Sequence, residues 1–308
     1  MFDIIGDIHG HADELIELLT ALGYSEQHGC FRHSTRKVFF CGDFIDRGPN
    51  IPDVVRIARN MVENEAALAV MGNHEFNALA YHTEDPDRPG EFLRPHSERN
   101  HLQHAQTLQQ FDESELQSAL VWFGSLPVAA DMGNFRVVHA CWSPQQIRLL
   151  DDVINEHNGA GAGGFLVPAA TQGHPVFEAV ECVLKGPELP LPDGLTVKDK
   201  EGNTRRRIRI RWFEEAAEHT WATYSLPVRG RLPETAVPPD SPAVPYSADA
   251  PPVFVGHYWL PESQPAPLTR NVACLDYSVA KGGMLAAYRF DGESRLSSDR
   301  FVTVSARD

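Results

Sequence analysis

Apolar runs followed by helical spacing occur three times in the N-terminal part of the chain. They are FDIIGDI with a leucine-rich helix that ends at Gly23, VFFCGDF with a helix from about Pro52 through Val62, and ALAVMGN with HEFNALAYH. Strands that alternate with helices in this way are typical of layered α/β proteins. The pattern therefore predicts an α/β fold.

The middle of the chain breaks this alternation. The stretch TEDPDRPGEFLRPHSERN is polar and carries several prolines, so we interpret residues 83–125 as an insertion. The elements predicted around it are helices at about 100–111 and 113–123, two strands joined by a turn within 128–140, and a helix at 143–150. The second of these strands ends at His139.

A second insertion follows at residues 185–252. It is rich in proline around a helix-or-strand island at 205–224, and 233–252 predicts a stiff surface loop. Apolar runs predict strands again at VFVGHY, NVACLDYS, MLAAYRFDG and RFVTV. We therefore expect a single domain over 1–308 with insertions at about 83–125 and 185–252.

The charge balance bears on the partners. The chain has 308 residues and a formal net charge of −15, which repels the backbone of nucleic acids and anionic membranes. We therefore expect no nucleic-acid or membrane partner, and a small or peptide-like substrate instead. An acidic total also arises where carboxylates gather around bound cations.

Cysteine usage and hydropathy predict a cytoplasmic location. The five cysteines are odd in number, far apart and without a C-x-x-C pair, which is typical of reduced thiols. No run approaches the roughly 18 apolar residues of a membrane helix. A predicted strand that begins at the second residue also leaves no room for a signal peptide.

Polar residues that can bind metals follow several of the predicted strands. They are Asp7 and His9 in GDIHG, Asp43 in GDFIDRG, Asn73 and His74 in GNHE, His139 in VVHA and His257 in VFVGHY. Because the carboxyl ends of strands in open α/β sheets converge on one crevice, we expect these side chains to meet there. A lone histidine at a strand end is more often a core residue, so the hypothesis depends on the whole set.

The composition of this set favours a pair of metal ions. Asp7 and His9 are two residues apart, so both point to the same side of an extended segment. With the carboxylate, amide and imidazoles of the later motifs, they offer mixed oxygen and nitrogen donors that suit manganese, iron or zinc. If Asp43 bridges two divalent or mixed-valence ions ~3.5–4 Å apart, a hydroxide shared between them can attack phosphorus in line.

The motifs GDxHG, GDxxDRG and GNHE occur in this order, with later histidines in VVHA and VGH. They resemble the motifs of the calcineurin-like metallophosphoesterases, in particular the phosphoprotein-phosphatase branch. The likeness extends from residue 6 to residue 257 and so frames most of the chain. It implies two mixed β-sheets packed as a sandwich and flanked by helices, and a hydrolase that cleaves phosphate esters at a dinuclear metal site.

This resemblance also gives each site residue a role. Asp7, His9 and Asp43 would hold the first metal, and Asp43, Asn73, His139 and His257 the second. His74 would be the general acid, oriented by Asp46, because an alkoxide leaves poorly until it is protonated. Arg47 would bind the phosphoryl oxygens, whose spacing a guanidinium matches, with Asn73 and His74 beside it.

Two departures from the family pattern bear on the substrate. Trp259 stands where many relatives carry a second histidine, which favours phosphomonoester hydrolysis over diesterase and nuclease activity. The segment HACWSP only partly matches the H-G-G-x-S-P of the branch, and the bulk of Trp142 is expected to narrow the site. A second phosphate-binding residue is not assigned, and the candidates are the arginines of 205–211 and Lys185.

The stretch RRRIRIRW has two interpretations. Its alternation places Arg207, Arg209 and Arg211 on one face of a strand, with Ile208 and Ile210 opposite. Charges protect an edge strand from aggregation, whereas the same arginines would also form a platform for an anionic substrate. Ten further histidines are expected to be solvated or to lie behind the ligands, among them His11, His96, His101 and His104.

The leading functional hypothesis is a cytoplasmic phosphatase of phosphomonoesters, with phosphoserine, phosphothreonine or phosphotyrosine in proteins among the candidate substrates. The alternative is a symmetrical bis(5'-nucleosyl)-tetraphosphate hydrolase, whose longer substrate needs extra cations and stacking aromatics such as the arginine strand and Trp142. A phosphate-binding protein without turnover is disfavoured, because every expected catalytic position is filled. The native metals, the physiological substrate and the oligomeric state stay open.

Overall fold

Strands and helices alternate along the chain in this computed structural model, which describes residues 1–192, 194–198, 202–228, 230–238, 243, 245–261 and 264–307. The strands are β1 (Phe2–Ile5), β2 (Ser25–Gln27), β3 (Cys30–Arg32), β4 (Lys37–Phe40), β5 (Ala67–Ala69), β6 (Ala129–Asp131), β7 (Arg136–Val138), β8 (Glu188–Pro190), β9 (Val197–Lys198), β10 (Thr204–Arg205), β11 (Arg207–Arg209), β12 (Val253–Val255), β13 (Val272–Cys274), β14 (Asp276–Tyr277), β15 (Met284–Phe290) and β16 (Phe301–Ser305). The helices are α1 (Ala12–Ala21), α2 (Ile51–Glu63), α3 (Asn73–Tyr81), α4 (Glu98–Gln110), α5 (Glu113–Ser125), α6 (Pro144–Glu156), α7 (Gly163–Ala170), α8 (Pro175–Lys185) and α9 (Trp221–Tyr224).

The larger strands form two mixed sheets. In the first, β1 runs parallel to β4 and antiparallel to β15, with Ile5 opposite Phe40 on one side and Ala287 on the other. β4 runs parallel to β5, while β14 and β16 pair with β15. In the second sheet, β12 lies parallel to β7 and β13, and β6 pairs antiparallel with β7. The parallel strands of each sheet therefore end at a common edge.

The two sheets pack face to face across an aromatic core. One buried cluster joins the two sheets. It contains Phe39, Tyr288 and Phe290 of the first sheet, Phe254 of the second sheet, and Phe135, which directly precedes β7. Ring centroids are 5.0 Å apart for Phe135 and Phe290, and 5.1 Å apart for Phe254 and Tyr288. Aligned sheets joined by interdigitating side chains form a sandwich, so the predicted fold class is confirmed.

The helices cover the outer faces of the sheets. The buried stripe of α2 consists of Ile51, Val54, Val55, Ile57, Ala58 and Met61, at helical spacing. It shares the main core cluster with Ile5, Val38 and Phe40, which point away from the aromatic core. Burial on both faces explains why runs such as VFF are uniformly apolar. Within the residues described, no helix combines the length and apolar character needed to cross a bilayer.

Part of the second insertion forms a small cap with a core of its own. β8 pairs with β11 and β9 with β10, both antiparallel. Ile208, Ile210, Trp221 and Tyr224 pack in a cluster that is separate from the cores of the two sheets. The alternating isoleucines of RRRIRIRW are therefore buried in the cap, which leaves the arginines to face outward.

The sequence predicted most of these elements. The three strand–helix units, the helices of the first insertion and the later strands are confirmed. The hairpin of β2 and β3 and the helices α7 and α8 were not predicted, and α7 contains Pro168, which is atypical of a helix interior. The loop predicted at 233–252 falls partly on 239–242 and 244, outside the described residues. The single domain with two insertions stays a prediction.

Candidate metal and catalytic site

Strand ends from both sheets converge on one region of the molecule. The residues that they carry there are Asp7 and His9 after β1, Asp43 after β4, Asn73 and His74 after β5, His139 after β7, and His257 after β12. Every metal-binding position expected from the sequence therefore lies at the carboxyl end of a strand. In layered α/β proteins this edge is where ligands bind.

Glycines allow the loops after these strands to approach closely. Gly42 has a φ of +93°, and a Cβ atom there would lie 2.4 Å from the backbone nitrogen of Gly72. A Cβ atom on Gly256 would lie 1.9 Å from Oδ1 of Asp7. Only glycine fits such approaches, which explains why it precedes the polar residue in these motifs.

One group of donor atoms consists of His9, Asp43 and His74, all within 4.8 Å of one another. Nε2 of His9 lies 3.6 Å from Oδ2 of Asp43, and Nε2 of His74 lies 4.0 Å from it. The Nδ1 N–H of His9 donates to the backbone oxygen of Ile45 at 2.8 Å. A hydrogen bond of this kind orients an imidazole so that its other nitrogen can bind a metal.

A second group shares Asp43 and adds His139 and His257, again within 4.8 Å. Nε2 of His139 lies 3.4 Å from Oδ2 of Asp43 and 3.2 Å from Oδ1 of Asn73. Its Nδ1 N–H donates to the backbone oxygen of Cys41 at 2.8 Å. Asp43 is thus common to both groups, at the position that the sequence analysis assigns to a bridging carboxylate.

Two buried polar atoms here have no hydrogen-bond partner in the described part of the chain, Oδ1 of Asp7 and Nε2 of His257. The other carboxylate oxygen of Asp7 accepts from the backbone N–H of His257 at 2.9 Å. Burial, and then the nearby Arg209, lowers the pKa of His257, so its imidazole is neutral. A buried oxygen and a buried ring nitrogen that both lack partners fit a cation between the two sheets.

Burial and mutual attraction set the charges of these groups. Burial raises the pKa of Asp7, and the carboxylate of Asp276 raises it further. Burial acts in the same direction on Asp43, but the imidazoles of His139 and His74 outweigh it and hold its pKa well below the usual value. Burial opposes a charge on His139, yet Asp43 raises the pKa of His139 to about 10. The proton that His139 then carries is one that a metal ion displaces on binding.

His74 of the first donor group also forms a buried pair with Asp46. Nδ1 of His74 lies 2.5 Å from Oδ2 of Asp46. Burial disfavours a charge on Asp46, but hydrogen bonds from His104 and His74 outweigh it and hold the pKa of Asp46 well below its usual value. The carboxylate therefore keeps a proton on Nδ1 of His74, and Nε2 stays directed toward the donor groups.

Arg47 lies between an imidazole and an indole at the mouth of the site. One terminal nitrogen of its guanidinium donates to Nε2 of His9 at 2.8 Å. The guanidinium carbon lies 4.1 Å from the ring centroid of Trp259, which is close enough for a cation–π contact. The contact with His9 uses the nitrogen expected to bind the first metal, so metal binding requires the guanidinium to turn away from it.

Several site residues hold a left-handed backbone conformation. The φ angle is 46° at His9, 54° at Asp43, 67° at Asp46, 71° at Arg47 and 70° at His257. Such conformations cost of the order of 1–3 kcal/mol each outside glycine, and they persist only where the surrounding structure holds them. Their concentration here shows that the loops are shaped by the site and not by local backbone preference.

A cleft above the donor groups is rich in arginine. Its cationic residues are Arg47, Arg99 from α4, and Arg205, Arg207 and Arg209 from the cap. Trp259 and Tyr258 contribute aromatic surface to the cleft. The expectation that Trp142 narrows the site is wrong, because Trp142 is buried in the main core against Arg136 and is not part of the described lining.

The structure also narrows the candidates for a second phosphate-binding residue. β11 ends at Arg209, so Arg211 departs from the strand face and forms an ion pair with Glu214. Lys185 pairs with a glutamate of its own helix, α8. Neither belongs to the described lining of the cleft, which leaves Arg205, Arg207 and Arg209 of the original candidates.

Residues 1–167 match a family model described as calcineurin-like phosphoesterase, which is more than half of the 308-residue chain. The chain belongs to the calcineurin-like phosphoesterase family. Members of the family are metal-dependent, and this chain has two groups of side chains with the donors that a metal requires. The resemblance stated from the motifs is confirmed, and the family that it named is one of phosphoesterases.

Curated relatives of this calcineurin-like phosphoesterase include dinucleoside tetraphosphatases. The chain is 47% identical over 74 residues to the asymmetrical bis(5'-nucleosyl)-tetraphosphatase PrpE of Halalkalibacterium halodurans, which covers 24% of this chain and 30% of that protein. It is 28% identical over 142 residues to the symmetrical bis(5'-nucleosyl)-tetraphosphatase of Vibrio parahaemolyticus, which covers 46% of this chain and 45% of that protein. The chain therefore spans less than half of the length of either relative.

Solved structures of protein phosphatases share the fold of this phosphoesterase. A cold-active protein tyrosine phosphatase superposes with a TM-score of 0.53 and 18% identity, over 96% of this chain and 78% of that one. A cold-active protein tyrosine phosphatase from a Shewanella species gives a TM-score of 0.51 and 16% identity, over 99% and 80%. At these identities the likeness concerns the fold alone.

The phosphoesterase site also contains groups that the sequence analysis missed, foremost Glu75. Its carboxylate accepts from the backbone N–H groups of Asp43 and Phe44, both at 2.8 Å, and of Gly72 at 2.9 Å. Glu75 thereby ties the loop after β4 to the start of α3. Burial, and then the charge of Asp43, raises its pKa to about 7. The motif GNHE contained the signal, since its last residue had no assigned role.

Proposed function

We propose that this protein is a metal-dependent phosphatase that hydrolyses phosphomonoesters, with phosphorylated serine, threonine or tyrosine in proteins among its substrates. One observation carries the proposal: two groups of buried donors share Asp43, and His74 of the first group is paired with Asp46. The mixed oxygen and nitrogen donors of these groups suit manganese, iron or zinc.

Both sheets would contribute ligands to the metal pair. Asp7, His9 and Asp43 would hold the first ion, and Asp43, Asn73, His139 and His257 the second. When bound, such a pair supplies Lewis-acid chemistry that neutralises phosphoryl charge and activates water. The partnerless atoms support this assignment, because the first ion would satisfy Oδ1 of Asp7 and the second ion would satisfy Nε2 of His257.

His74 is the proposed proton donor to the leaving oxygen. Its Nδ1 is held by Asp46 at 2.5 Å, and its Nε2 faces the donor groups 4.0 Å from Asp43. An imidazolium in this position protonates an alkoxide as the bond to phosphorus breaks, which removes the main obstacle to departure. Asp46 stabilises the charged imidazole and sets its orientation.

Arg47 is the proposed clamp for the phosphoryl oxygens, with Asn73 and His74 beside it. A guanidinium presents several N–H donors in one plane, which matches two phosphate oxygens at once. The ring of Trp259 lies 4.1 Å from the guanidinium carbon, so a cation–π contact supports the guanidinium. Arg47 can thus exchange its contact with His9 for the substrate without losing its support from Trp259.

The arginines of the cleft favour a second candidate, hydrolysis of a dinucleoside tetraphosphate. A monoester presents one phosphate, whereas Arg99, Arg205 and Arg207 extend the cationic wall beyond Arg47 in a chain of net charge −15. Bases can stack on exposed aromatic rings, and Trp259 lies in the same cleft. The names of the curated relatives support this candidate for the shared N-terminal part of the chain.

Parallel assays with p-nitrophenyl phosphate, a phosphopeptide and diadenosine tetraphosphate test the proposal. We expect the manganese-loaded protein to release phosphate from the first two, and chelation to abolish the activity. Activity confined to the dinucleotide would reject the leading function in favour of the second candidate. A metal-loaded protein that cleaves none of the three would point to phosphate binding without turnover.

The proposed setting is the cytoplasm, with a phosphorylated small molecule, phosphopeptide or dinucleoside polyphosphate as substrate. All five cysteines are free thiols, and four of them are buried. Unpaired cysteines are usual in reducing compartments, which supports this location. The cap arginines also support the proposal that the second insertion helps to select the substrate within a single domain.

A further inference from the structure

Asp46 is held by α4 as well as by its contact with His74. Nδ1 of His104 lies 2.8 Å from Oδ1 of Asp46, and the hydroxyl of Thr107 donates to the same oxygen at 2.6 Å. The backbone N–H of Asp46 donates in return to the hydroxyl of Thr107 at 3.1 Å. The two oxygens of Asp46 are therefore divided, because Oδ1 faces α4 and Oδ2 faces His74.

The contacts from α4 stabilise both the backbone and the side chain of Asp46. The side chain is only 3% exposed, and the φ angle of 67° is left-handed. The terminal torsion of an aspartate is broad, so one contact alone leaves the plane of the carboxylate poorly defined. Two donors on Oδ1 define that plane, and the bond from the Asp46 N–H holds the strained backbone.

The second nitrogen of His104 is also engaged. Nε2 of His82 lies 3.2 Å from Nε2 of His104. Burial, and then His104, lowers the pKa of His82 to about 4, so His82 is neutral near pH 7. Because the carboxylate of Asp46 only accepts, Nδ1 of His104 donates to it, and Nε2 of His104 can then accept from the ring N–H of His82.

These contacts belong to one face of α4. His104, Thr107 and Gln110 are three residues apart, and Gln110 accepts from the backbone N–H of Ile51 at 2.8 Å and donates to the oxygen of Gly48 at 2.9 Å. The first insertion thus holds the whole loop that carries Asp46 and Arg47. In the sequence, polar residues at this spacing on an amphipathic helix were the only signal of their role.

We propose that His104 and Thr107 are positioning residues for the proton donor His74 and act on it through Asp46. The inference rests on the proposed function, in which His74 protonates the leaving group. Neither residue belongs to the donor groups or to the described lining of the cleft. Through Asp46, both residues act on the orientation of the His74 imidazole.

Two phosphomonoesters with different leaving groups test the proposal. Nitrophenolate leaves p-nitrophenyl phosphate without needing a proton, whereas the phenolate of phenyl phosphate benefits from one. We expect His104→Leu and Thr107→Val to lower kcat for phenyl phosphate by about 10–100-fold, the usual effect of removing a residue that orients a site group, with KM unchanged. Turnover of p-nitrophenyl phosphate should change little.

Two variants serve as controls. His104→Asn keeps an N–H donor near the position of Nδ1 and should restore most of the lost turnover. His101→Leu makes the same change at an exposed histidine of α4 that does not contact Asp46, and it should leave both substrates unaffected. A loss in His101→Leu as large as in His104→Leu would mean that the helix had been damaged, and would overturn the proposal.

The role of His74 is tested separately. His74→Asn should slow phenyl phosphate more than p-nitrophenyl phosphate, and His104→Leu should add no further loss in that background, because both changes act on one proton transfer. If His74→Asn affects the two esters equally, the proposed function of His74 fails. If His74→Asn discriminates between them and His104→Leu does not, the positioning role is wrong.

A measurement that does not depend on turnover tests the proposal even if the protein cleaves neither ester. The Nδ1 proton of His74 lies in a buried 2.5 Å contact, so it should give a resolved downfield signal in the proton NMR spectrum of the intact protein. We expect that signal to broaden or vanish in His104→Leu and in Thr107→Val, and to persist in His101→Leu. An unchanged signal in the first two variants would overturn the proposal.

Discussion

Asp43 is the residue on which most interactions of the site depend. Its Oδ2 lies within 4.0 Å of an imidazole nitrogen of His9, His74 and His139, and its Oδ1 accepts from the backbone N–H of His74 at 3.0 Å. These contacts keep it ionised in spite of burial. A carboxylate that is shared in this way links the two donor groups both electrostatically and geometrically.

Replacing Asp43 should therefore affect both metals together. The substitution Asp43→Asn keeps the shape of the side chain and removes its charge, so we expect the variant to retain less than one ion per chain after gel filtration. Elemental analysis of the purified protein measures this. Asp53→Asn changes an exposed aspartate of α2 and should retain the full metal content. Loss of a single ion in Asp43→Asn would contradict a bridging role.

His74→Asn separates the roles of acid and ligand. We expect the variant to keep its metals and to turn over phosphomonoesters ~10²–10⁴-fold more slowly, which is the usual effect of losing a general acid. The expectation is not trivial, because Nε2 of His74 also belongs to the first donor group. Steady-state kinetics and metal analysis on one preparation decide it, and loss of an ion would make His74 a ligand.

Single elements of the insertions reach into the site. Helix α4 supplies Arg99 to the cleft and holds the loop after β4, while strand β11 supplies Arg207 and Arg209. Ile208 between them is buried in the core of the cap, while the two arginines extend the cationic lining of the cleft. Segments 83–125 and 185–252, which the sequence analysis interprets as insertions, thus both contribute side chains to the lining of the cleft.

Arg207→Ala tests whether the cap recognises a polyphosphate. A lost hydrogen bond to a charged group is worth about 1.5–3 kcal/mol, so we expect kcat/KM for diadenosine tetraphosphate to fall roughly 10–100-fold and that for p-nitrophenyl phosphate to change little. Arg211→Ala removes an arginine from the same segment that pairs with Glu214, and it serves as the matched control. Equal losses with both substrates would assign Arg207 to the phosphate that reacts.

At the scale of the whole molecule, a buried ion pair stabilises the first sheet. Nε of Arg36 donates to Oδ2 of Asp3 at 2.9 Å, and its terminal nitrogens contact Asp291 and the backbone oxygen of Phe2. The side chain of Asp3 is fully buried, and that of Arg36 is 6% exposed. The pair lies beside the start of β1 and β4, whereas the site lies at their ends.

Removing Arg36 should destabilise the fold without touching the site. Arg36→Leu removes one cation from the buried carboxylate of Asp3, which keeps the Tyr24 hydroxyl at 3.0 Å and Arg289 at 3.3 Å, so we expect the free energy of unfolding to fall by about 3 kcal/mol. Arg56→Leu breaks an exposed pair with Asp53 and should cost less than about 1 kcal/mol. Urea titration of both variants measures the difference, and similar midpoints would show that the buried pair contributes little.

The sequence was sufficient to predict where the polar residues that follow apolar strands would lie. Asp7, Asp43 and His257 stand directly after runs that only buried strands explain, and the carboxyl ends of such strands meet at one edge. The motifs added the proposed roles. The fold class and the convergence of the candidate site residues were predictable because both depend on local pattern and chain order.

The contacts behind the site were not predictable in this way. Glu75 and Thr107 act on backbone N–H groups of distant loops, and a sequence does not show which N–H groups a fold leaves without partners. Trp142 and Trp259 could not be told apart as cleft residues, since both follow a histidine in a polar loop. Whether Arg211 shares the strand face of Arg207 and Arg209 depended on where β11 ends, and alternation alone does not reveal that end.

The division of the donors between two sheets has a consequence for fragments of the chain. Asp7, Asp43 and Asn73 follow strands of the first sheet, whereas His257 follows β12 of the second. A polypeptide cut after residue 167 would contain the whole family match and still lack His257. Each of the two complementary fragments would hold strands of both sheets, and we expect each to be inert. Recovery of activity on mixing them would report the pairing of β1 with β15 and of β7 with β12 across the cut.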